Sequence, residues 1–345
     1  MSVELNAAQA ADKQLLVSVV IIGRNEGERL RRCLQSVAAT VRRGFEMEVI
    51  YVDSGSVDGS AALAESAGVR TVSLQPKRPS AALGRNAGWQ VARGSIVLFL
   101  DGDTVLHPDY VADSLPEFSA SEVAVVWGHR RELHPERSLY NRTLDLDWIY
   151  AAGTTAYCGG DALFRRSILT QTGGFDETLI AGEEPELCRR IGALGFTILH
   201  VDRPMTRHDL AITRWQQYWK RSTRAGHAFA EVSERFRETE QQFWTGESKR
   251  NRNRALVLLT LFVTGLAGSI LLTSLLPALL VIIFLLVLAS RSAWKARWKS
   301  NDHVALMLYG LHSHLQQIPI YFGQLQYKWN RKNGKRSMLL EYKEP

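Results

Sequence analysis

The chain has 345 residues, 46% of them hydrophobic and 22% charged, with three cysteines and a formal net charge of +7. That much apolar content excludes a disordered chain, and the length allows two domains or one large α/β domain with an appendage. Cys33, Cys158 and Cys188 are too few and too widely spaced for a disulfide framework or a cysteine-based zinc module, which points to a reducing compartment.

The charge is unevenly placed. Residues 291–345 hold 10 Lys/Arg against 3 Asp/Glu, and residues 203–254 hold 12 against 6, leaving residues 1–202 at −6. An acidic body with basic flanks toward the C-terminus does not look like a nucleic-acid binder, so no nucleic acid is expected as a partner.

The opening stretch MSVELNAAQAADKQLL lacks the basic-then-apolar layout of a secretory signal, so residues 1–14 read as a tail and the body is expected in the cytosol. The next hundred or so residues alternate apolar runs with helical patterns, the mark of βαβ units and a mainly parallel sheet. Val17–Ile22 reads as a buried strand, and Asn25 as the cap of a helix from Glu26 to about Ala38 with Leu30, Cys33, Leu34 and Val37 on one face. Val49–Val52 is a second strand ending at Asp53. Asp58 caps a helix over Ala61–Ser66, Val69–Ser73 is a third strand, and Ala81–Ala92 is a helix. Ile96–Leu100 is a fourth strand that runs into Asp101-Gly102-Asp103.

Open α/β sheets bind ligands at the carboxyl ends of their strands. Asp53 stands at such an end, where a carboxylate either accepts hydrogen bonds from a base or ribose or closes a turn. Asp101 and Asp103 flank a glycine directly after an apolar strand. Two carboxylates so spaced can reach one hard divalent cation bridging a diphosphate, and Asp-Gly-Asp is also an ordinary turn. Further on, Gly182-Glu183-Glu184-Pro185-Glu186 opens a helix with three acids in its first turn. These either complement the helix dipole or supply a general base for an acceptor hydroxyl.

Ala255–Ser290 is a run of 36 residues without a charged side chain. One spanning helix takes about 20 residues, and both flanks are basic: Lys249, Arg250, Arg252 and Arg254 before, Arg291, Lys295, Arg297 and Lys299 after. A hairpin of two short spans turning near Thr273–Pro277 keeps both clusters on the cytoplasmic side. Six of the nine tryptophans lie in or around these flanks, as an interfacial belt requires. A buried helical hairpin in a soluble core is the alternative. Residues 303–329, with Pro319 interrupting, read as an amphipathic segment on the bilayer, with His303, His312 and His314 as polar-face histidines. Lys328–Arg336 reads as contacts with anionic lipid.

The order of these motifs resembles the inverting family 2 glycosyltransferases of the GT-A fold, over roughly residues 15–250. VSVVIIGRNEGERLRRCLQSV is similar to the family's first strand and helix, and VDSGSVDGS is similar to DDGSxDGT with Ser54 in place of an Asp. GRNAG, LDGDT, GGDALFRR, GGFDE and GEEPELCRR follow in the family's order. The resemblance implies a GT-A (Rossmann-like, mainly parallel) catalytic domain over 15–210. Amphipathic interface helices would follow over 211–254, then a transmembrane hairpin over 255–290 and a basic amphipathic segment over 291–345. It implies that Asp53, Arg85, Asp101 and Asp161 bind the nucleotide-sugar donor. Asp101 and Asp103 would hold Mg²⁺ or Mn²⁺, with His208 either a further ligand or a structural residue. The catalytic base would be Glu184, or its neighbour Glu183, because the family's Glu-Asp pair reads Glu-Glu here.

The segment Arg214–Phe229 stands where membrane-bound members carry an interface helix. From it, Arg221 and Arg224 would reach the leaving diphosphate or a lipid phosphate. The implied activity is transfer of a sugar to a hydroxyl of a saccharide acceptor, lipid-linked, at the cytosolic face of the inner membrane, with both termini cytosolic and membrane lipids as partners. Transfer to polyprenyl phosphate is a second reading, and a nucleotide-sugar-binding scaffold without turnover is a third. Acceptor specificity is assigned to Trp127–Tyr157, where His129, Arg130, Arg131 and His134 either contact acceptor or are solvated.

Overall fold

The computed structural model describes residues 14–240 and 242–335. Residues 1–13 of the expected tail and Arg336 of the expected lipid-binding run lie outside the described residues. The chain divides into two compact units. The first comprises the chain up to His129 with Ala151–Asp176 and Leu187–Arg207; the second comprises Arg130–Tyr150, Glu177–Glu186 and the chain from His208 onward.

The first unit opens with β1 (Leu15–Gly23), α1 (Glu28–Ala38), β2 (Phe45–Asp53), α2 (Ser60–Ser66), β3 (Arg70–Ser73), α3 (Ala81–Val91) and β4 (Ile96–Asp101). It continues with β5 (Thr104–Leu106), α4 (Tyr110–Ser114) and β6 (Val123–Glu132). After α5 (Leu139–Asp145), which belongs to the second unit, come β7 (Gly153–Thr155), β8 (Ala162–Arg165), α6 (Arg166–Thr172), α7 (Glu183–Ala193) and β9 (Thr197–His208). Among the described residues these nine strands form one sheet in the order β3-β2-β1-β4-β8-β6-β9-β5, with β7 paired to β9.

The sheet is mixed. β1 pairs in parallel with β2 and β4, and β2 with β3, as the continuous apolar runs predict for strands buried on both faces. β8 then runs antiparallel to β4 and to β6. Val17, Val19, Val20 and Ile21 of β1 are fully buried, and Leu30, Cys33, Leu34 and Val37 of α1 are buried in the same core cluster. The register sets Gly23 of β1 opposite Asp53 and Ile22 opposite Asp101. The two carboxylates therefore flank the end of the central strand.

Asn25 does not cap α1, which starts at Glu28. It adopts a left-handed conformation with φ 56°. Its N–H donates to Ser56 Oγ, and its Oδ1 accepts the N–H of Val57 at 2.9 Å. The Ser60 hydroxyl accepts the N–H groups of Glu26 and Gly27. Asn25 thus ties the loop after β1 to the loop after β2, where an Asx side chain tolerates a conformation most residues avoid. Asp58 does not cap α2 either: the N-cap is Gly59, and Asp58 Oδ1 accepts the Ser60 N–H at 3.0 Å in the turn just before it.

The second unit is helical: α8 (Trp215–Arg235), α9 (Thr245–Leu271), α10 (Leu276–Lys295), α11 (His303–Leu315) and α12 (Gln317–Lys332) join α5. α9 and α10 are long and apolar enough to cross a membrane, and the chain turns between them where the hairpin was expected. Val263, Leu266, Ile270, Leu279, Ile283 and Val287 are exposed rather than packed in a core.

The C-terminal helices depart from the expected surface segment. α12 packs on α8 so closely that a Cβ on Gly226 would lie 1.9 Å from the Ile320 carbonyl oxygen, and one on Gly323 2.0 Å from that of Thr223. His312, expected on a polar face, is buried. Its Nδ1 is 2.8 Å from the Tyr218 hydroxyl and its Nε2 3.0 Å from Asp147 Oδ2. Against the upward push of burial, His312, Arg221 and Lys299 hold the Asp147 carboxyl below its ordinary value.

Candidate active site

β4 delivers Asp101 to the sheet edge and a two-residue turn follows at once, its Gly102 N–H donating to the Ile22 carbonyl at 2.8 Å. Asp103 is buried, while the Asp101 side chain keeps 28% of its surface. His208, the last residue of β9, is buried. Each of these three residues offers one ligand atom, and the three atoms lie within 4.8 Å of one another. Two carboxylate oxygens with one imidazole nitrogen form a donor set suited to a divalent cation such as Mg²⁺ or Mn²⁺.

Behind this cluster Asp101 is fixed from two sides. Arg85, with 2% of its surface exposed, donates from Nη2 to Asp101 Oδ1 at 3.0 Å. The guanidinium lies 5.5 Å from the centroid of the Phe175 ring, which packs edge-on against Phe99. Asn86 clamps the same phenylalanine: its Nδ2 donates to the Phe175 carbonyl at 2.8 Å and its Oδ1 accepts the Phe175 N–H at 2.9 Å. Gly174, at φ 77°, has no room for a Cβ, which would meet Asn86 Oδ1 at 2.6 Å. GRNAG and GGFDE, read as separate motifs, are thus one packed unit.

Asp161 is fully buried. Its Oδ1 accepts the backbone N–H of Asp101 at 3.1 Å and its Oδ2 the hydroxyl of Thr206 at 2.8 Å. The resemblance placed this residue against a sugar. With no exposed surface and both oxygens engaged, it braces the chain behind Asp101.

Asp53 is 2% exposed. Its Oδ2 accepts the N–H groups of Gly55 and Ser56 at 3.0 and 2.8 Å, and its Oδ1 accepts the Tyr51 hydroxyl at 3.1 Å. Burial and then the Asp53 charge push the Tyr51 phenol up, so it stays a neutral donor. The carboxylate therefore shapes the turn after β2, one of the two uses its sequence allowed.

α7 begins at Glu183 with Glu183, Glu184 and Glu186 in its first turn, as expected. Glu183 and Glu186 are buried and Glu184 is half-buried. In the second unit, Arg221 and Arg224 are half-buried on α8, and Arg224 Nη2 donates to the Ile180 carbonyl at 3.3 Å. Of the stretch assigned to acceptor recognition, Arg131 is committed to Asp145, with Nη2 to Oδ2 at 2.6 Å, and Arg130 lies over the Trp148 ring at 5.1 Å.

Sequence reasoning passed over Glu132. Burial pushes its carboxyl up to about 7. It accepts the His134 N–H and Asn141 Nδ2 on one oxygen and the Leu210 N–H on the other, which fixes the chain just beyond His208. A single glutamate at the end of a strand carries no pattern that would have singled it out.

An α/β sheet with two aspartates and a histidine gathered at the carboxyl end of a strand is the arrangement of a GT-A glycosyltransferase. The chain belongs to glycosyl transferase family group 2, whose model matches residues 96–311, more than half of the chain; the model "Glycosyl transferase family 2" also matches residues 18–173.

The chain is 24% identical over 191 residues to glycosyltransferase AglE of Haloferax volcanii, covering 53% of this chain and 63% of that protein. It is 29% identical over 213 residues to the pre-mycofactocin glycosyltransferase of Mycobacterium tuberculosis, covering 56% of this chain and 42% of that one. These alignments span less than two thirds of either relative's length. Among solved structures, the mannosyltransferase PcManGT of Pyrobaculum calidifontis, in complex with GDP-Man and Mn²⁺, superposes with a TM-score of 0.65 at 16% identity, covering 93% of this chain and 89% of that one. That likeness shows the fold.

Proposed function

We propose that this chain transfers a glycosyl group, with inversion, from a nucleotide-sugar donor to a hydroxyl of a lipid-linked saccharide at the cytosolic face of the membrane. The observation that carries the reading is the convergence of Asp101, Asp103 and His208 on one point. The imidazole nitrogen in that set favours Mn²⁺ over Mg²⁺, which prefers oxygen donors and keeps its waters. A cation held by Asp101, Asp103 and His208 would supply charge neutralisation for the departing nucleoside diphosphate.

The protein groups divide the remaining work. Arg85 keeps Asp101 oriented, and Asp161 holds the backbone on which Asp101 sits. Asp53, through the turn at Gly55 and Ser56, shapes the strand end that receives the nucleoside. Glu184, with Glu183 beside it, takes the proton of the acceptor hydroxyl as that oxygen bonds to the anomeric carbon. The bond from this carbon to the diphosphate oxygen breaks on the opposite face, and the nucleoside diphosphate leaves. Arg221 and Arg224 are assigned to the diphosphate or to a lipid phosphate.

Membrane placement is supported by the exposed apolar side chains of α9 and α10 and by the basic residues that bracket them. Both termini would then be cytosolic, and acceptor and donor would meet in a plane that supplies part of their orientation.

Purified full-length protein with Mn²⁺, offered a panel of nucleotide sugars, should release nucleoside diphosphate from at least one of them. Failure of every donor to bind or turn over, with either Mn²⁺ or Mg²⁺, overturns the reading.

A further inference from the structure

At the base of the apolar hairpin, α9, α10 and α11 line an open cavity of about 670 Å³ that has two chemically distinct ends. Arg254, Lys295 and Lys299 supply three cations; Leu261, Phe284 and Leu288 supply an apolar wall. The volume lies within the roughly 300–1,000 Å³ usual for pockets that hold small ligands.

The cations are placed for different jobs. Lys299 is half-buried and anchored, with its Nζ donating to the Leu146 carbonyl at 2.8 Å and to the Tyr309 hydroxyl at 3.2 Å. Arg254 and Lys295 are exposed at the cavity, and no carboxylate pairs with either among the described residues. A glycerol or sugar would leave these charges uncompensated. A free anion would meet the cations and leave the apolar wall without a partner of its own. One kind of ligand satisfies both ends: a phosphate head joined to a hydrocarbon chain.

The geometry points to this cavity as a binding site for a single phosphate-bearing lipid, its head against Arg254, Lys295 and Lys299 and its chain along Leu261, Phe284 and Leu288. The site rests on the membrane-anchored reading proposed above, and all of its lining residues belong to the second unit. Basic pockets between spanning helices on the cytoplasmic side are where anionic lipid heads are held, each cation near the surface adding affinity. The wall then selects lipid over free phosphate because only a lipid has a hydrocarbon chain to pack along it.

The test uses the full-length protein in a neutral detergent, followed by native mass spectrometry. The probes are dodecyl phosphate, dodecanol and inorganic phosphate. A one-to-one adduct with dodecyl phosphate is expected, weakened about tenfold in the R254Q/K295Q variant. The control variant R252Q/R291Q removes the same charge from the same flanks outside the cavity and should bind within about twofold of the parent.

Equal loss in both variants, displacement of dodecyl phosphate by an equal concentration of inorganic phosphate, or equally tight binding of dodecanol would each overturn the proposal. R254Q/K295Q should still release nucleoside diphosphate with Mn²⁺, showing that it folds. Protein that turns over donor but does not partition into membranes would remove the membrane reading, while protein that partitions but fails the adduct test would remove this site alone.

Discussion

The carboxylate of Asp161 accepts the backbone N–H of Asp101 at 3.1 Å, and its second oxygen accepts the Thr206 hydroxyl at 2.8 Å. One buried side chain thus joins β8, the end of β4 and β9, and it does so directly behind the carboxylates that define the site.

Replacing Asp161 with alanine leaves the Asp101 N–H and the Thr206 hydroxyl buried without this acceptor, at a cost of about 1–3 kcal/mol each at most. The variant should melt earlier and lose kcat as Asp101 shifts. Thermal denaturation read beside steady-state kinetics checks this. A variant with unchanged melting and only a raised KM for donor would return Asp161 to a direct sugar contact.

Glu184→Gln should lower kcat by about 10²–10⁴-fold while donor binding is retained, since it removes a proton acceptor and not a donor contact. Glu183→Gln made alongside it separates the pair. A larger loss for Glu183→Gln, with Glu184→Gln near the parent, would move the base by one residue.

His227 is buried in α8 beside the Tyr327 ring. Glu231 Oε2 lies 3.4 Å from its Nδ1, yet burial dominates and pushes the imidazole down to about 4 from an ordinary 6.5. Between those values the unfolded chain binds a proton that the folded chain refuses. Stability is therefore full above about pH 6.5 and falls by about 1.4 kcal/mol per pH unit on acidification toward pH 4. Denaturant unfolding of the parent and of His227→Gln across that window should show the slope in the first and its flattening in the second.

Gly226→Ala places a methyl group where a carbonyl oxygen stands 1.9 Å away. α8 and α12 must separate, and the destabilisation should be about 3 kcal/mol or more, beyond an ordinary overpacked core position. Ala225→Gly, one residue away, should cost only about 1 kcal/mol of helix propensity. Comparable effects from the two would contradict the close crossing.

The parallel half of the sheet could be read from the chain because buried central strands leave continuous apolar runs such as Ile96–Leu100, and Asp-Gly-Asp at the end of one marks the ligand edge. Asn25 misled because its preference for caps and its tolerance of a left-handed backbone have the same cause, a short side chain that bonds locally; only the distant Ser56 and Val57 decide between them. His312 misled for another reason. A mixed apolar and polar helix presents the same pattern to a bilayer as to another helix, and the glycines that bring α12 onto α8 have no signature apart from their partners. Phe175 and Asn86 became a single clamp only when residues 89 positions apart met.

The central claim concerns the pair at the end of β4, and metal titration tests it most directly. Transfer should vanish on chelation, return on addition of Mn²⁺, and fall by about 10²-fold or more in the Asp101→Asn and Asp103→Asn variants, each of which should also bind Mn²⁺ more weakly by calorimetry. Undiminished transfer by chelated protein, or by a variant lacking both carboxylates, would contradict the assignment of this site.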